Sequence, residues 1–227
     1  GSRLYPLTVS VNKHLLPIYD KPMIFYPISV LLLAGIKDIL IITRKEDSNL
    51  FYNLLGNGDH LGCRFTYEIQ QEPNGIGEAF IIGEDFIGDE DVMLVLGDNI
   101  IYGSGLSSIL SLNSGNYAKI FPITVNDPER FGVVEYGNNG EIVSIEEKPK
   151  KPKSNLAIPG IYYYPNDVIE ISKKIKPSDR GEIEISSINN YYLMKNRIKA
   201  SNLPRGITWL DTGTPESLAD AIEFVKV

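Results

Sequence analysis

The sequence is poor in cysteine, tryptophan and histidine, with one, one and two of them in 227 residues. The single thiol, Cys63, has no partner within the chain. That excludes a disulfide-stapled scaffold and makes the cytoplasm the expected compartment. No apolar run approaches the ~18 residues of a membrane span, and no secretory signal is present. Positive charge is in deficit: 22 Lys+Arg against 29 Asp+Glu give a net charge of −7, which argues against a broad nucleic-acid-binding surface. An initiator methionine and a leading strand are also missing before Gly1-Ser2-Arg3, as a cloning scar or a missing N-terminus would explain. What remains is ordinary globular usage, 43% apolar and 22% charged, which excludes a disordered tail or a collagen-like repeat. A chain of this length buries a full core unaided.

Short β-rich runs alternate with helical stretches. Residues 22–34 read as a helix that Pro27 bends or delays and Gly35 stops. Residues 37–43 and 91–96 read as buried strands, with a helix over 46–55, a strand over 64–70 and, after a Pro73-Asn74-Gly75 turn, a helix to about 85. This β-α-β-α rhythm predicts an α/β fold with a mostly parallel sheet covered by helices on both faces. In the second half, strands are expected over 117–125 and 158–164. A hairpin of 133–136 with 141–147 closes on Gly137-Asn138-Asn139-Gly140. Helices over 165–175 and 181–194, short strands over 197–203 and 207–210, and a last helix capped by Thr214 complete the chain. One domain spanning 1–227, with no linker and no repeat, is expected.

Three segments carry chemistry. Asp98, in Leu96-Gly97-Asp98-Asn99, follows a buried strand, where open α/β sheets bind ligands. It is either a metal ligand or a turn and cap residue. Asp211, in Trp209-Leu210-Asp211-Thr212-Gly213, follows another strand. It either shares a Mg²⁺ with Asp98 or serves the turn before the last helix. Arg3 and Lys13 stand in a glycine-containing N-terminal stretch that is either a polyphosphate cradle or a solvated loop. Cys63 reads as structural, His60 as solvated, Trp209 as core or pocket wall, and Lys150, Lys151 and Lys153 as a solvated face. Tyr162, Tyr163 and Tyr164 read as sheet and surface packing, with one of them open to a ligand contact.

Taken in order, the segments GSRLYPLT (1–8), NKHLLPIYDKPMIFYP (12–27), QEPNGIGEAFIIGEDFIG (71–88), LGDNIIYG (96–103), DPERFGVVE (127–135), EEKPKKPKSNLAIPGIYYY (146–164), RGEIEI (180–185) and WLDTGTPESL (209–218) resemble the sugar-1-phosphate nucleotidylyltransferases. The resemblance spans essentially the whole chain. It implies a three-layer α/β/α Rossmann-like nucleotidyltransferase fold, with a mixed, mostly parallel sheet and a small β-hairpin sugar-binding region within 117–211. It also implies Mg²⁺-dependent transfer of dTMP from dTTP to glucose 1-phosphate. The products would be dTDP-glucose and pyrophosphate, for dTDP-sugar biosynthesis of the dTDP-rhamnose type, in a cytoplasmic homo-oligomer that binds neither nucleic acid nor membrane.

By the same resemblance, Gly1, Ser2, Arg3 and Lys13 match the triphosphate loop, Gln70 and Gly75 match positions reading the base, and Asp98 and Asp211 match the magnesium ligands. Asn99, Gly132, Glu147, Lys148 and Ile158 match the sugar-phosphate pocket. Arg3, Lys13, Asp98 and Lys148 carry the catalysis. Adjacent strand residues point to opposite faces, so Glu147 and Lys148 can serve one site only if the strand ends or bulges there.

Departures from the family pattern fall at four places. Its first strand and most of its glycine loop are missing before Gly1, and a sheet without that strand would expose apolar neighbours and ladder groups. His14 replaces the usual Gln and takes no catalytic role. Ser186-Ser187 stand where an Asp is usual, and many members continue beyond Val227. Two alternatives are a transferase using UTP or another nucleotide, and a non-catalytic nucleotide-sugar-binding regulatory module.

Overall fold

In the computed structural model, which describes residues 2–111 and 115–226, the chain divides into two compact units. One comprises Gly1–Lys37, Val95–Ser111 and Pro204–Val227; the other comprises Asp38–Leu94 and Leu112–Leu203. Among the described residues, no helix is long and apolar enough to cross a membrane.

In the first unit, the expected helix at 22–34 is confined to Phe25–Leu33. Pro22 belongs instead to a two-residue antiparallel ribbon, Pro17–Ile18 against Lys21–Pro22. Pro27 then falls in the first helical turn, where its missing N–H forfeits no helical bond. Gly35, at φ +83, supplies the left-handed residue that ends the helix. The strand Asn99–Gly103 pairs antiparallel with Ile207–Asp211, from Ile207↔Gly103 to Asp211↔Asn99. The helix Pro215–Lys226 begins as expected. Ser217 N donates to Thr214 Oγ1 at 3.2 Å, and Thr214 N donates to Ser217 Oγ at 3.0 Å, a reciprocal cap. Leu218, Ala221, Ile222 and Val225 recur at helical spacing. They pack with Leu4, Leu16, Ile18, Met23 and Ile100 into this unit's core.

The second unit holds the parallel pair Asp38–Thr43 with Arg64–Ile69. The chain between them runs through the helix Ser48–Leu55, the crossover that parallel pairing requires. Two four-stranded sheets follow. One is ordered Ile198–Ala200, Ala118–Ile120, Ile161–Tyr164, Val92–Val95; the other is ordered Ile142–Glu147, Gly132–Tyr136, Leu156–Ile158, Ile123–Thr124. The long strand expected at 117–125 is broken into Ala118–Ile120 and Ile123–Thr124, and the one expected at 158–164 is confined to Ile161–Tyr164, with Ile158 ending a separate strand, Leu156–Ile158. In each case the two pieces belong to different sheets. Pro122 and Pro159 sit at the two breaks; without an N–H, neither can continue a ladder.

Parallel pairing is accordingly less extensive than the rhythm predicts. Among the pairings whose direction is described, it joins, besides the first pair, Ile198–Ala200 to Ala118–Ile120, whereas the expected hairpin is antiparallel, Gly132–Tyr136 against Ile142–Glu147. The helix expected from the Pro73 turn to Asp85 is interrupted at Gly83, between Ala79–Ile82 and Glu84–Ile87.

Tyr162, Tyr163 and Tyr164 are all buried, so none forms surface packing. Tyr164 Oη donates to Asn189 Oδ1 at 2.6 Å. The helix Ile185–Met194 turns Ile185, Ile188 and Tyr192 into the same core as Phe80, Ile120 and Val168. Ser172 lies fully buried in the helix Val168–Lys174, and its hydroxyl finds no hydrogen-bond partner. An unpaired buried hydroxyl costs about 1–3 kcal/mol, and alanine is the better helix former. Ser172→Ala should therefore raise the unfolding free energy by about 1 kcal/mol, read as a higher denaturant midpoint at unchanged m-value.

Candidate active site

In the first unit, the turn Leu96–Asn99 is the focus. Lys13, in the 3₁₀ turn Lys13–Leu15, places Nζ 2.7 Å from Asp98 Oδ2, with side chains only 12% and 28% exposed. Asn99 Nδ2 donates to Asp98 Oδ1 at 3.1 Å, and Trp209 Nε1 donates to Asn99 Oδ1. The buried Thr212 hydroxyl donates to the Asp98 carbonyl oxygen at 2.9 Å. Burial by itself would raise the Asp98 carboxyl. The Lys13 ammonium, and then His14, outweigh it and hold the group below the ordinary carboxylate value. Asp98 is therefore a charged acceptor in a partly dry setting.

Glycines mark two close approaches. A Cβ on Gly97 would lie 3.2 Å from the His14 ring, so the imidazole rests against the turn because residue 97 has no side chain. A Cβ on Gly213 would lie 2.9 Å from Asp211 Oδ2 and 3.4 Å from Arg3 Cζ. The Asp211 carboxylate and the Arg3 guanidinium thus converge on one point. Asp211 faces Asn99 across the ribbon, so Asp98, one residue before its strand, lies next to the residue paired with Asp211. Arg3 itself is exposed in the turn Ser2–Leu4, held by the buried Leu4. Gly1 lies outside the described residues, and Ser2 is placed only as the first residue of that turn.

Among the described residues, no group of three His, Cys, Asp or Glu is placed to enclose a metal. The donor set fits Mg²⁺ all the same. That ion prefers hard oxygen ligands and commonly takes one or two carboxylates, completing its shell with water and substrate phosphate.

In the second unit, Gly132 pairs with Glu147 on one side and with Ile158 on the other. These three residues form one rung across three strands. A Cβ on Gly132 would lie 3.4 Å from Glu147 Oε2 and 4.0 Å from Ile158 Cβ, so the bare backbone at 132 is the floor of a notch between acid and aliphatic wall. The strand ends at Glu147, and Lys148 takes φ +43. The alternation is thereby broken as the adjacent pair requires, and Lys148 Nζ lies 3.6 Å from Glu147 Oε1. Burial, only partly countered by Lys148, pushes the Glu147 carboxyl above its ordinary value. Arg180 Nη2 donates to Glu184 Oε1 at 2.7 Å. Ser186 is buried and Ser187 half-buried in the helix that follows.

Also in this unit, Gln70 Nε2 donates to Glu78 Oε2 at 2.7 Å and to the Gly75 carbonyl at 3.2 Å. Gly75 has φ +100, and a Cβ there would meet Ile183 N and O at 2.7 Å. Cys63 is buried, and burial followed by Asp59 pushes its thiol up, as a structural cysteine requires. His60 and the lysines 150, 151 and 153 are exposed; Lys153 pairs with Glu146 at 2.7 Å.

Glu78, Thr212 and the anchoring of Asn99 by Trp209 are not legible in the sequence. No local signal marks them, because each acts through a partner brought near by the fold.

The nucleotidyl transferase family model matches residues 1–226. A glucose-1-phosphate thymidylyltransferase of Neisseria meningitidis is 52% identical over 228 residues, covering 100% of this chain and 79% of the relative. One of Mycobacterium tuberculosis is 51% identical over 227 residues, with the same coverage. Among solved structures, a Bacillus anthracis protein named for the same activity, with sucrose bound, superposes with a TM-score of 0.92 at 41% identity, covering 99% of this chain and 91% of its own. A UDP-glucose pyrophosphorylase bound to UDP-glucose gives a TM-score of 0.83 at 28% identity, covering 99% and 94%. With a mixed α/β architecture shared along its length and about half its residues identical to such relatives, the chain belongs to the nucleotidyl transferase family.

Proposed function

We propose that this chain catalyses Mg²⁺-dependent transfer of dTMP from dTTP to glucose 1-phosphate, releasing pyrophosphate and forming dTDP-glucose. The observation that carries this reading is the 52% identity, over the whole chain, to a curated glucose-1-phosphate thymidylyltransferase. The finer fold reading is a three-layer α/β/α Rossmann-like arrangement acting as one nucleotidyltransferase domain. Both substrates are highly charged and do not cross a bilayer unaided, which supports a cytoplasmic enzyme; a homo-oligomer is part of the same reading.

The chemistry asks little of a proton acceptor. The phosphate of glucose 1-phosphate is largely dianionic at neutral pH, its second pKa being about 6. One of its oxygens attacks the α-phosphorus of dTTP while the bond to the β,γ-pyrophosphate breaks. Bringing two anions together and holding charge on the leaving group is the difficulty, and positioned cations meet it. Arg3 is exposed toward solvent, and Lys13 keeps donors to spare beyond the one given to Asp98. Asp98 and Asp211 are the carboxylates that would hold Mg²⁺. When bound, that ion supplies charge neutralisation to the phosphates. Gly1 and Ser2 complete the triphosphate loop in this reading.

Gln70 and Gly75 read the base. Glu147 accepts from hexose hydroxyls, Lys148 meets the sugar phosphate, and Gly132 and Ile158 shape the rest of that pocket. The Gly132 notch and the reversed backbone at Lys148 support the assignment, since they leave room for a sugar beside an acceptor and a cation.

Three measurements test this reading. In a pyrophosphate-release assay with glucose 1-phosphate, dTTP should outcompete UTP, whereas turnover with UTP alone would favour a uridylyl transferase. Asp98→Asn should abolish Mg²⁺-dependent turnover while the circular dichroism spectrum stays native; retained activity would remove Asp98 from the metal site.

Glu147→Gln should raise the KM for glucose 1-phosphate by about tenfold, the worth of one lost hydrogen bond to a charged group. Because burial raises the Glu147 carboxyl, the folded state disfavours its ionised form relative to the unfolded chain. Stability is lost as pH rises through the folded pKa. The Gln variant should therefore melt above the wild type at neutral pH, with the gap closing as pH falls through that raised value.

A further inference from the structure

A glutamine side chain offers two N–H donors on one side of its amide and a carbonyl oxygen on the other. Its shape is nearly unchanged by a half-turn that swaps them. A glutamine that reads a base edge is selective only if something fixes which side it shows. For Gln70 that is settled within the protein. Both amide hydrogens are taken, one by Glu78 Oε2 at 2.7 Å and one by the Gly75 carbonyl at 3.2 Å. A carboxylate and a carbonyl are both acceptors, so the half-turned amide would aim oxygen at oxygen twice. Glu78 is itself held, its Oε1 accepting from Asn74 Nδ2 at 2.8 Å. The Asn74 carbonyl accepts in turn from Ile183 N at 2.6 Å. Gln70 Oε1 and the Gly75 N–H have no protein partner among the described residues. The loop thus offers one acceptor and one donor.

We propose that Glu78 is a positioning residue that sets nucleobase specificity. By claiming the N–H side of Gln70, it leaves an acceptor at Gln70 and a donor at Gly75. That pair matches the N3–H and adjacent carbonyl of a thymine or uracil edge and opposes the N3 and amino group of cytosine. The proposal rests on the assignment of Gln70 and Gly75 as the base-reading pair. It adds what that assignment lacks, a reason for the amide to face one way. Glu78 touches no substrate; it acts through Gln70.

The test compares kcat/KM for dTTP and dCTP, at saturating glucose 1-phosphate, in the wild type, Glu78→Gln and Glu78→Ala, with thermal unfolding recorded for each. A Gln at 78 can present either a donor or an acceptor to Gln70, and Ala presents neither, so both free the amide to turn. In each, the dTTP/dCTP ratio should fall by about tenfold, the worth of one hydrogen bond to a charged group. The change should appear in the nucleotide KM, with kcat for dTTP and the KM for glucose 1-phosphate within about twofold of wild type. Asn74→Ala, at an exposed position, loosens Glu78 without removing it and should lower the same ratio by less; it also tests the idea if both Glu78 variants misfold. A wild type that prefers dTTP, with folded variants that keep its ratio, overturns the role of Glu78 alone. A wild type that uses dCTP as well as dTTP overturns the base-reading assignment itself.

Discussion

A carboxylate drawn largely out of water takes up a proton unless positive charge and hydrogen bonds answer it. For Asp98 the answer is Lys13, at 2.7 Å, and the remaining features of the first unit are arranged around that pair. Lys13 reaches Asp98 because the chain before it is anchored by Leu4 and the chain after it by Leu16, both in the same small core. The turn bearing Asp98 is fixed from several sides: by Asn99 on its second oxygen, by Thr212 on its carbonyl, and by the His14 ring lying where Gly97 has no side chain. Groups held in this way need little reorganisation when charge arrives, which is the condition for electrostatic catalysis.

The polar groups of the second unit are organised differently. Glu147 has a cation nearby, yet burial still dominates its carboxyl. Arg180 is occupied by Glu184. Gln70 is turned by its neighbours instead of by a ligand. Positioning there comes from short local links, such as Asn74 to Glu78 to Gln70, supported by the backbone bonds of Ile183 to Asn74 and Gly77.

Much of this was legible in the residues. Helix ends followed from Gly35 and from Thr214-Pro215, and the hairpin over residues 132–147 from its Gly-Asn-Asn-Gly turn. The changes of sheet at Pro122 and Pro159 are not legible in the sequence. In a linear pattern each apolar run passes for one strand, and only the sheet partners show that the chain changes sheets there. The parallel bias was overread for the same reason: hydrophobic runs report burial, not strand direction. The order of motifs singles out Asp98, Asp211, Glu147 and Lys148 as candidates, and the reversal after Glu147 follows from the adjacency of the last two. Glu78 was invisible, since a half-buried acid eight residues beyond Gln70 looks like any other until its two oxygens are seen to be claimed.

The positive φ of Lys148 has a geometric consequence. A site assembled from distant segments changes its dimensions whenever packing shifts. The distance between the carboxylate at 147 and the ammonium at 148, 3.6 Å here, is instead bounded above by covalent connectivity through one peptide unit. An acceptor and a cation are thereby kept within reach of each other, and repacking elsewhere in the chain cannot pull their backbones apart.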